Sequence, residues 1–234
     1  MVAGEDKALG IMLNNCWNKF SFGGHHGLYK ELKNPNKVHT IRTLARAIAV
    51  SAYDPIGISS PFTLQCRHIM REVMKRNKAL GIKPTKEMWN TPLFEDLEAP
   101  FKAWYEQLPH LDNLKLNACV YFKPGNTAFF CFCDASNVGI GMAIYSRSDM
   151  PNGKIKTNLV RAKSKVRPMS MPIKDEESEE KSTVEDEHFS IPRLELMAAE
   201  ELLKHIKELQ EAYDVNPEDL WCYTDSSCVF FWLQ

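Results

Sequence analysis

Three acidic residues stand where carboxylates can do chemistry. Asp134 ends an apolar run, Phe-Phe-Cys-Phe-Cys-Asp-Ala-Ser at 129–136. Glu195 lies in Ile-Pro-Arg-Leu-Glu-Leu at 191–196, where a helical pattern begins. Asp225 follows Leu-Trp-Cys-Tyr-Thr at 220–224 and precedes two serines. One carboxylate at a strand end, one in a first helical turn and one at a second strand end can converge. Carboxylates brought that close repel one another unless a cation joins them. All-oxygen donors suit Mg²⁺, which also keeps waters and substrate phosphate oxygens in its shell. Two such ions about 4 Å apart can clamp the attacking and leaving oxygens of a phosphoryl displacement. Singly, each acid has a plainer explanation. Asp before Ser forms turns and caps, and Glu in a first turn complements the helix dipole. Together Asp134, Glu195 and Asp225 are a candidate cluster that would bind a divalent cation or shift its pKa values.

The elements that would position these acids follow from the apolar pattern after residue 118. Short strands are predicted at 120–122 and 129–134, split by a turn at 123–126. Further strands follow at 139–147 and 158–166, then a helix at 191–209, a strand at 220–224 and a helix from 226. The order β-β-β-α-β-α predicts a mixed sheet covered by helices. On the 158–166 strand Arg161, Lys163 and Lys165 alternate with small or apolar residues, and Arg167 follows. That face suits a phosphate backbone. It also suits an exposed strand kept soluble by charge.

Upstream, the apolar spacing predicts helices at 40–53, 60–80 and 91–108. Thr40 is the expected cap of the first, and Pro61 suits the first turn of the second. Arg67, Arg71, Lys75 and Lys78 share one face of that second helix, as a phosphate-tracking stripe or a solvated face. Residues 7–22 read as a strand pair with no partner sheet of its own, so that the domain would begin before Met1. Gly23 to Gly27 reads as a solvated loop. His25 and His26 lie in it with no third ligand nearby.

Bulk composition excludes little. The 234 residues are 44% hydrophobic and 25% charged, with a net charge of −1, as in ordinary globular chains. Residues 174–188 carry eight acids and two bases. This acidic insert masks a mildly basic body and is expected to be disordered. No apolar run is long enough for a membrane span, and no signal pattern opens the chain. The seven cysteines lack zinc spacing and read as reduced thiols of an intracellular, cytoplasmic protein.

Four sequence words then carry a resemblance. Phe-Cys-Asp-Ala-Ser (132–136), Ala-Lys-Ser-Lys-Val-Arg-Pro (162–168), Ile-Pro-Arg-Leu-Glu-Leu-Met-Ala-Ala (191–199) and Tyr-Thr-Asp-Ser (223–226) resemble the ribonuclease H region of BEL/Pao-type LTR retrotransposon polyproteins. Ala-Leu-Gly-Ile (8–11) and Tyr-Asp-Pro-Ile-Gly-Ile-Ser-Ser-Pro (53–61) resemble the same family's stretch between polymerase palm and ribonuclease H. The resemblance implies an α+β or α/β chain, with a helical connector followed by an incomplete ribonuclease H-like mixed sheet. Its implied divisions are a palm remnant at 1–37, the connector at 38–117 and the nuclease at 118–234, with the insert at 170–189. It further implies Mg²⁺-dependent hydrolysis of RNA in RNA–DNA hybrids, within a larger Pol polyprotein and away from membranes. The family's fourth acidic ligand has no candidate before Gln234, which leaves an inert, weakly nucleic-acid-binding relic as the alternative. The region is also labelled a peptidase, yet the chain has no Asp-Thr-Gly or Asp-Ser-Gly loop. It also has no Asp-Asp pair of a polymerase site.

Overall fold

A computed structural model describes residues 5–8, 11–14, 19–22, 25–50, 54–117, 126–169 and 190–233. The expected strand at 120–122, most of the turn after it and the acidic insert lie outside these residues.

Two apolar cores organise the described residues. The first is helical: α1 (His25–Leu32), α2 (Ile41–Val50), α3 (Ser60–Ala79), α4 (Lys86–Asn90), α5 (Glu95–Tyr105) and a 3-10 helix over Leu108–Asn113. Their shared interior holds Leu32, Leu44, Val73, Phe101, Trp104 and Leu108, all essentially without solvent exposure. Burying each such side chain is worth about 1.5–3 kcal/mol. Thr40 caps α2 as expected, since its Oγ1 accepts from the Thr43 amide at 3.2 Å and Thr43 Oγ1 returns the bond to the Thr40 amide. Such a reciprocal pair satisfies two donors that a helix start leaves open.

The helix predicted at 91–108 is replaced by shorter pieces. Pro92 biases residue 91 away from helical backbone, and Thr91 is extended there at ψ 144. Pro92 then bridges Thr40, so α5 starts only at Glu95. The strand pair predicted for 7–22 is also corrected. Strands β1 (Glu5–Ala8), β2 (Ile11–Asn14) and β3 (Lys19–Phe22) form antiparallel pairs, and β4 (Lys115–Asn117) adds to β3 from ninety residues downstream. That non-local partner leaves no local signal. The loop expected at 23–27 is likewise corrected, because α1 already begins at His25.

The second core belongs to a four-stranded mixed sheet, β5 (Thr127–Ala135), β6 (Gly139–Asp149), β7 (Ile155–Val166) and β8 (Leu220–Tyr223). Its spatial order is β7-β6-β5-β8. β5, β6 and β7 form an antiparallel meander, whereas β8 runs parallel to β5. A parallel neighbour requires a crossover, which α6 (Ile191–Tyr213) supplies. α6 lays Leu194, Ala198 and Leu202 on Phe129, Cys131 and Ile144. α7 (Ser227–Trp232) follows β8. The predicted β-β-β-α-β-α order is therefore present in a mixed sheet with helices.

The free edge of β7 is covered by the helical unit. The Ala162 amide donates to Ile56 O at 2.6 Å, and Ser164 Oγ donates to Ser60 O at 2.8 Å. Arg67 Nη1 donates to Ser164 O and Arg71 Nε to Arg167 O, at 3.4 and 2.9 Å. Bare strand edges invite unwanted pairing, and covering them is a common remedy.

Candidate active site

The pleat decides where each predicted acid points. Along β5, Phe129, Cys131 and Cys133 face α6. Asp134 has the opposite parity and shares the other face with Phe130 and Phe132. The parallel register sets Phe132 beside Tyr223, so two residues on Asp134 and Asp225 leave their strands at the same level. Both are exposed, and both line one cleft of about 750 Å³. Its floor is the sheet face carrying Phe132, Tyr145 and Tyr223, with Phe132 and Tyr223 stacked at 5.2 Å. Its far wall is the segment of Gly57, Ile58, Ser60, Pro61 and Leu64. Burial pushes the Cys133 thiol up, and the Asp134 and Asp225 carboxylates are among the charges that add to the push.

Glu195 does not line this cleft and approaches from the α6 side, beside the residue that follows Asp225. Its Oε2 accepts a 2.5 Å hydrogen bond from Ser226 Oγ. Ser226 is buried and caps α7 by accepting from the Val229 amide at 3.1 Å. The residue after Asp225 thus ties Glu195 to the strand-end acids. The three do not form a closed cage, since the acid trio is not among the described His, Cys, Asp and Glu groups whose ligand atoms gather within 4.8 Å. Two carboxylates open into a common cleft, and the third is held one hydroxyl away.

The predicted basic residues have diverse surroundings. Lys163 and Lys165 turn to α6, where both bind Glu201 at 2.7 and 2.5 Å. Arg161 is exposed, and Arg71 also pairs with Glu72 at 2.9 Å. Arg67 and Arg71 contact β7 as described above. Lys75 and Lys78 lie further along α3.

Glu201 was missed, although its signal was legible. It falls on the stripe of Leu194, Ala198, Leu202 and His205, where an acid must find a buried partner. Burial pushes its carboxyl up, but hydrogen bonds from Lys163 and Lys165 outweigh this and bring it down to about 2. A depressed acid stabilises the fold above its ordinary value of 4.5 and loses that contribution as pH falls towards about 2. Glu201→Gln is therefore expected to cost about 3 kcal/mol at pH 7 and less than half of that at pH 3. Urea unfolding of both proteins at the two pH values measures the difference. An equal cost at both would remove the ion pairs as its cause.

Cys131 and Cys133 are buried thiols of the second core. Cys131 and Cys222 are partners across β5 and β8, and Cys222 is exposed. The neighbouring Cys131 thiol lowers the Cys222 thiol below its ordinary range.

A meander joined through one helix to a parallel fourth strand, with acids at the shared strand ends, defines a ribonuclease H-like fold. Residues 40–174 match the family described as Pao retrotransposon-like RNaseH-like domain. The chain belongs to that family. A solved structure, "Structure of the foamy viral protease-reverse transcriptase in complex with dsDNA", is similar at 12% identity with a TM-score of 0.44. The similarity covers 95% of this chain and 45% of that one, so this chain spans under half of that protein's length. No curated protein matches. No helix among the described residues is long and apolar enough to cross a membrane.

Proposed function

We propose that this chain carries catalytic acids of a ribonuclease H-type nuclease that hydrolyses the RNA strand of RNA–DNA hybrids during reverse transcription. The observation that supports this reading most is the shared cleft, lined by Asp134 near the end of β5 and Asp225 just past β8, with Glu195 bonded to Ser226 beside Asp225. The donor set fits a hard cation, because all three groups are carboxylates. Asp134, Glu195 and Asp225 would hold two Mg²⁺ ions, which would supply positive charge against the scissile phosphate. The remaining work falls to the chain's own residues. Phe132, Tyr145 and Tyr223 offer stacking surface to bases or sugars. The Gly57 to Leu64 wall narrows the cleft, which suits selection of a hybrid by duplex shape and 2′-hydroxyl contacts. Arg161, exposed on β7, would contact phosphate on this reading.

On this reading the chain is a segment of a Pol polyprotein. The end of a palm at 1–37 and a connector at 38–117 lead into the nuclease at 118–234. The β3–β4 pairing ties the first two together.

One observation favours a second reading, that of an inert, weakly nucleic-acid-binding relic. Glu195 is engaged by Ser226, and Arg67, Arg71, Lys163 and Lys165 all have partners within the protein. Incubating purified protein with labelled duplexes and Mg²⁺ separates the two. The nuclease is expected to cut only the RNA strand of the hybrid, leaving 5′-phosphate and 3′-hydroxyl ends, and to spare DNA duplexes. Retention of the hybrid without cleavage, in Mg²⁺ and in Mn²⁺, would sink the nuclease and leave the relic.

A further inference from the structure

A second cluster of chemically capable residues lies far from the cleft. His25 opens α1 with only 1% of its side chain exposed. No hydrogen bond of good geometry reaches either ring nitrogen of His25 among the described residues, and Nε2 has only an ion-pair contact with Asp112. Buried polar atoms left unpaired cost about 1–3 kcal/mol each and call for an explanation. The next residue, His26, sets its ring against that of His25, with centroids 4.4 Å apart. Both rings turn to one oxygen. His25 Nε2 and His26 Nε2 each lie 3.2 Å from Asp112 Oδ1, on the 3-10 helix over Leu108–Asn113. All three candidate ligand atoms fall within 4.8 Å of one another.

We propose that His25, His26 and Asp112 form a binding site for one zinc-type transition-metal dication. Bond lengths of about 2.0–2.1 Å in a tetrahedron place neighbouring ligand atoms about 3.3 Å apart. The two nitrogen-to-oxygen separations have that length. Two imidazoles and one carboxylate favour zinc, cobalt or nickel over the hard cations that suit the carboxylate cleft. The side chains of His26 and Asp112 are 58% and 45% exposed, so the fourth position opens to water.

The site's place in the chain suggests its role. β3 leads into His25, and Asp112 leads into β4, which pairs with β3. A metal there would clip both crossings between the N-terminal sheet and the helical core. It would close the long loop between residues 26 and 112, a constraint that stabilises chiefly by restricting the unfolded chain.

Cobalt titration of the full chain tests this. The folded protein is expected to take up one Co²⁺ with tetrahedral d–d absorption, to release it to Zn²⁺ and to melt at a higher temperature when loaded. Loss of an outer-shell partner alone weakens metal sites by about 10–100-fold, so losing a ligand should weaken this one at least about tenfold. His26→Gln and Asp112→Asn alter exposed groups and should show that loss with an unchanged circular dichroism spectrum. Asp134→Asn should leave the cobalt spectrum as it was. The site is overturned if wild-type protein shows no saturable binding, or if both variants bind as wild type. Thiolate-to-cobalt charge-transfer bands in place of the expected spectrum would put the ion on cysteine and overturn it equally.

Discussion

Replacing Asp134 by Asn is expected to lower hybrid hydrolysis by at least about a thousandfold, or about 4 kcal/mol of transition-state stabilisation. The fold should survive. Asp134 Oδ1 accepts a 2.6 Å hydrogen bond from the Ala135 amide, and an amide oxygen accepts it as well. The side chain is exposed and fills no core space. Two carboxylates sharing a cleft repel when no cation is bound, so the metal-free variant should be as stable as the wild type or slightly more so. Mg²⁺ should separate the two. A ligand at ten times its dissociation constant stabilises the native state by about 1.4 kcal/mol, and the wild type should gain that while Asp134→Asn gains little. Rate and Mg²⁺-dependent melting thus report on one carboxylate through different routes. If the variant keeps a tenth or more of the activity, the catalytic centre lies elsewhere. If it loses activity but keeps the Mg²⁺ shift, Asp134 acts on substrate rather than on the ion.

The ribonuclease H-like half of the fold was readable because its signals are local. Five apolar or thiol residues before Asp134 mark a strand buried on one face and apolar on the other. Alternation marks β6 and β7, and the apolar stripe from Leu194 to Leu209 marks α6. The parallel placement of β8 follows from the long helix between it and β5. What could not be read depends on partners far away in sequence. The β4 partner of β3 is three residues long. The Arg67 and Arg71 contacts with β7 cross nearly a hundred residues. A basic helical stripe looks the same whether it meets phosphate or backbone carbonyls. The candidate acids were found by type and order, yet the Ser226 bridge to Glu195 was not. That bond depends on the angle at which α7 leaves β8, which sequence spacing does not give. The His25 and His26 pair lacked its third member for the same reason, since Asp112 arrives by folding alone.

Gly57→Ala is expected to be the most damaging single substitution at the seam between the two cores, costing about 3 kcal/mol or more. Gly57 has φ +87, a left-handed conformation that costs an L-residue about 1–2 kcal/mol. A Cβ built there would lie 1.7 Å from Ala162 O, well inside contact distance and against backbone that cannot swing aside. The Gly57 amide is held by Asp54 Oδ1 at 2.7 Å, while Asp54 Oδ2 accepts from both the amide and the hydroxyl of Ser59. The turn therefore cannot rotate away without losing these bonds. The remaining escape is for the segment to lift off β7, which breaks the bond from the Ala162 amide to Ile56 O and bares the strand edge. For a chain of this size 3 kcal/mol lowers the melting temperature by roughly 6–12 °C. Gly153→Ala is the matching control, with φ +74 and nothing within 4 Å of its built Cβ. It should show only the conformational cost, near 1 kcal/mol. Hydrogen exchange sharpens the comparison. Gly57→Ala should expose the Ala162 amide, while the Ile144 amide, in the interior of β6, stays protected. Equal effects of the two substitutions would mean that strain alone matters and that the helical unit does not depend on this contact to cover the sheet.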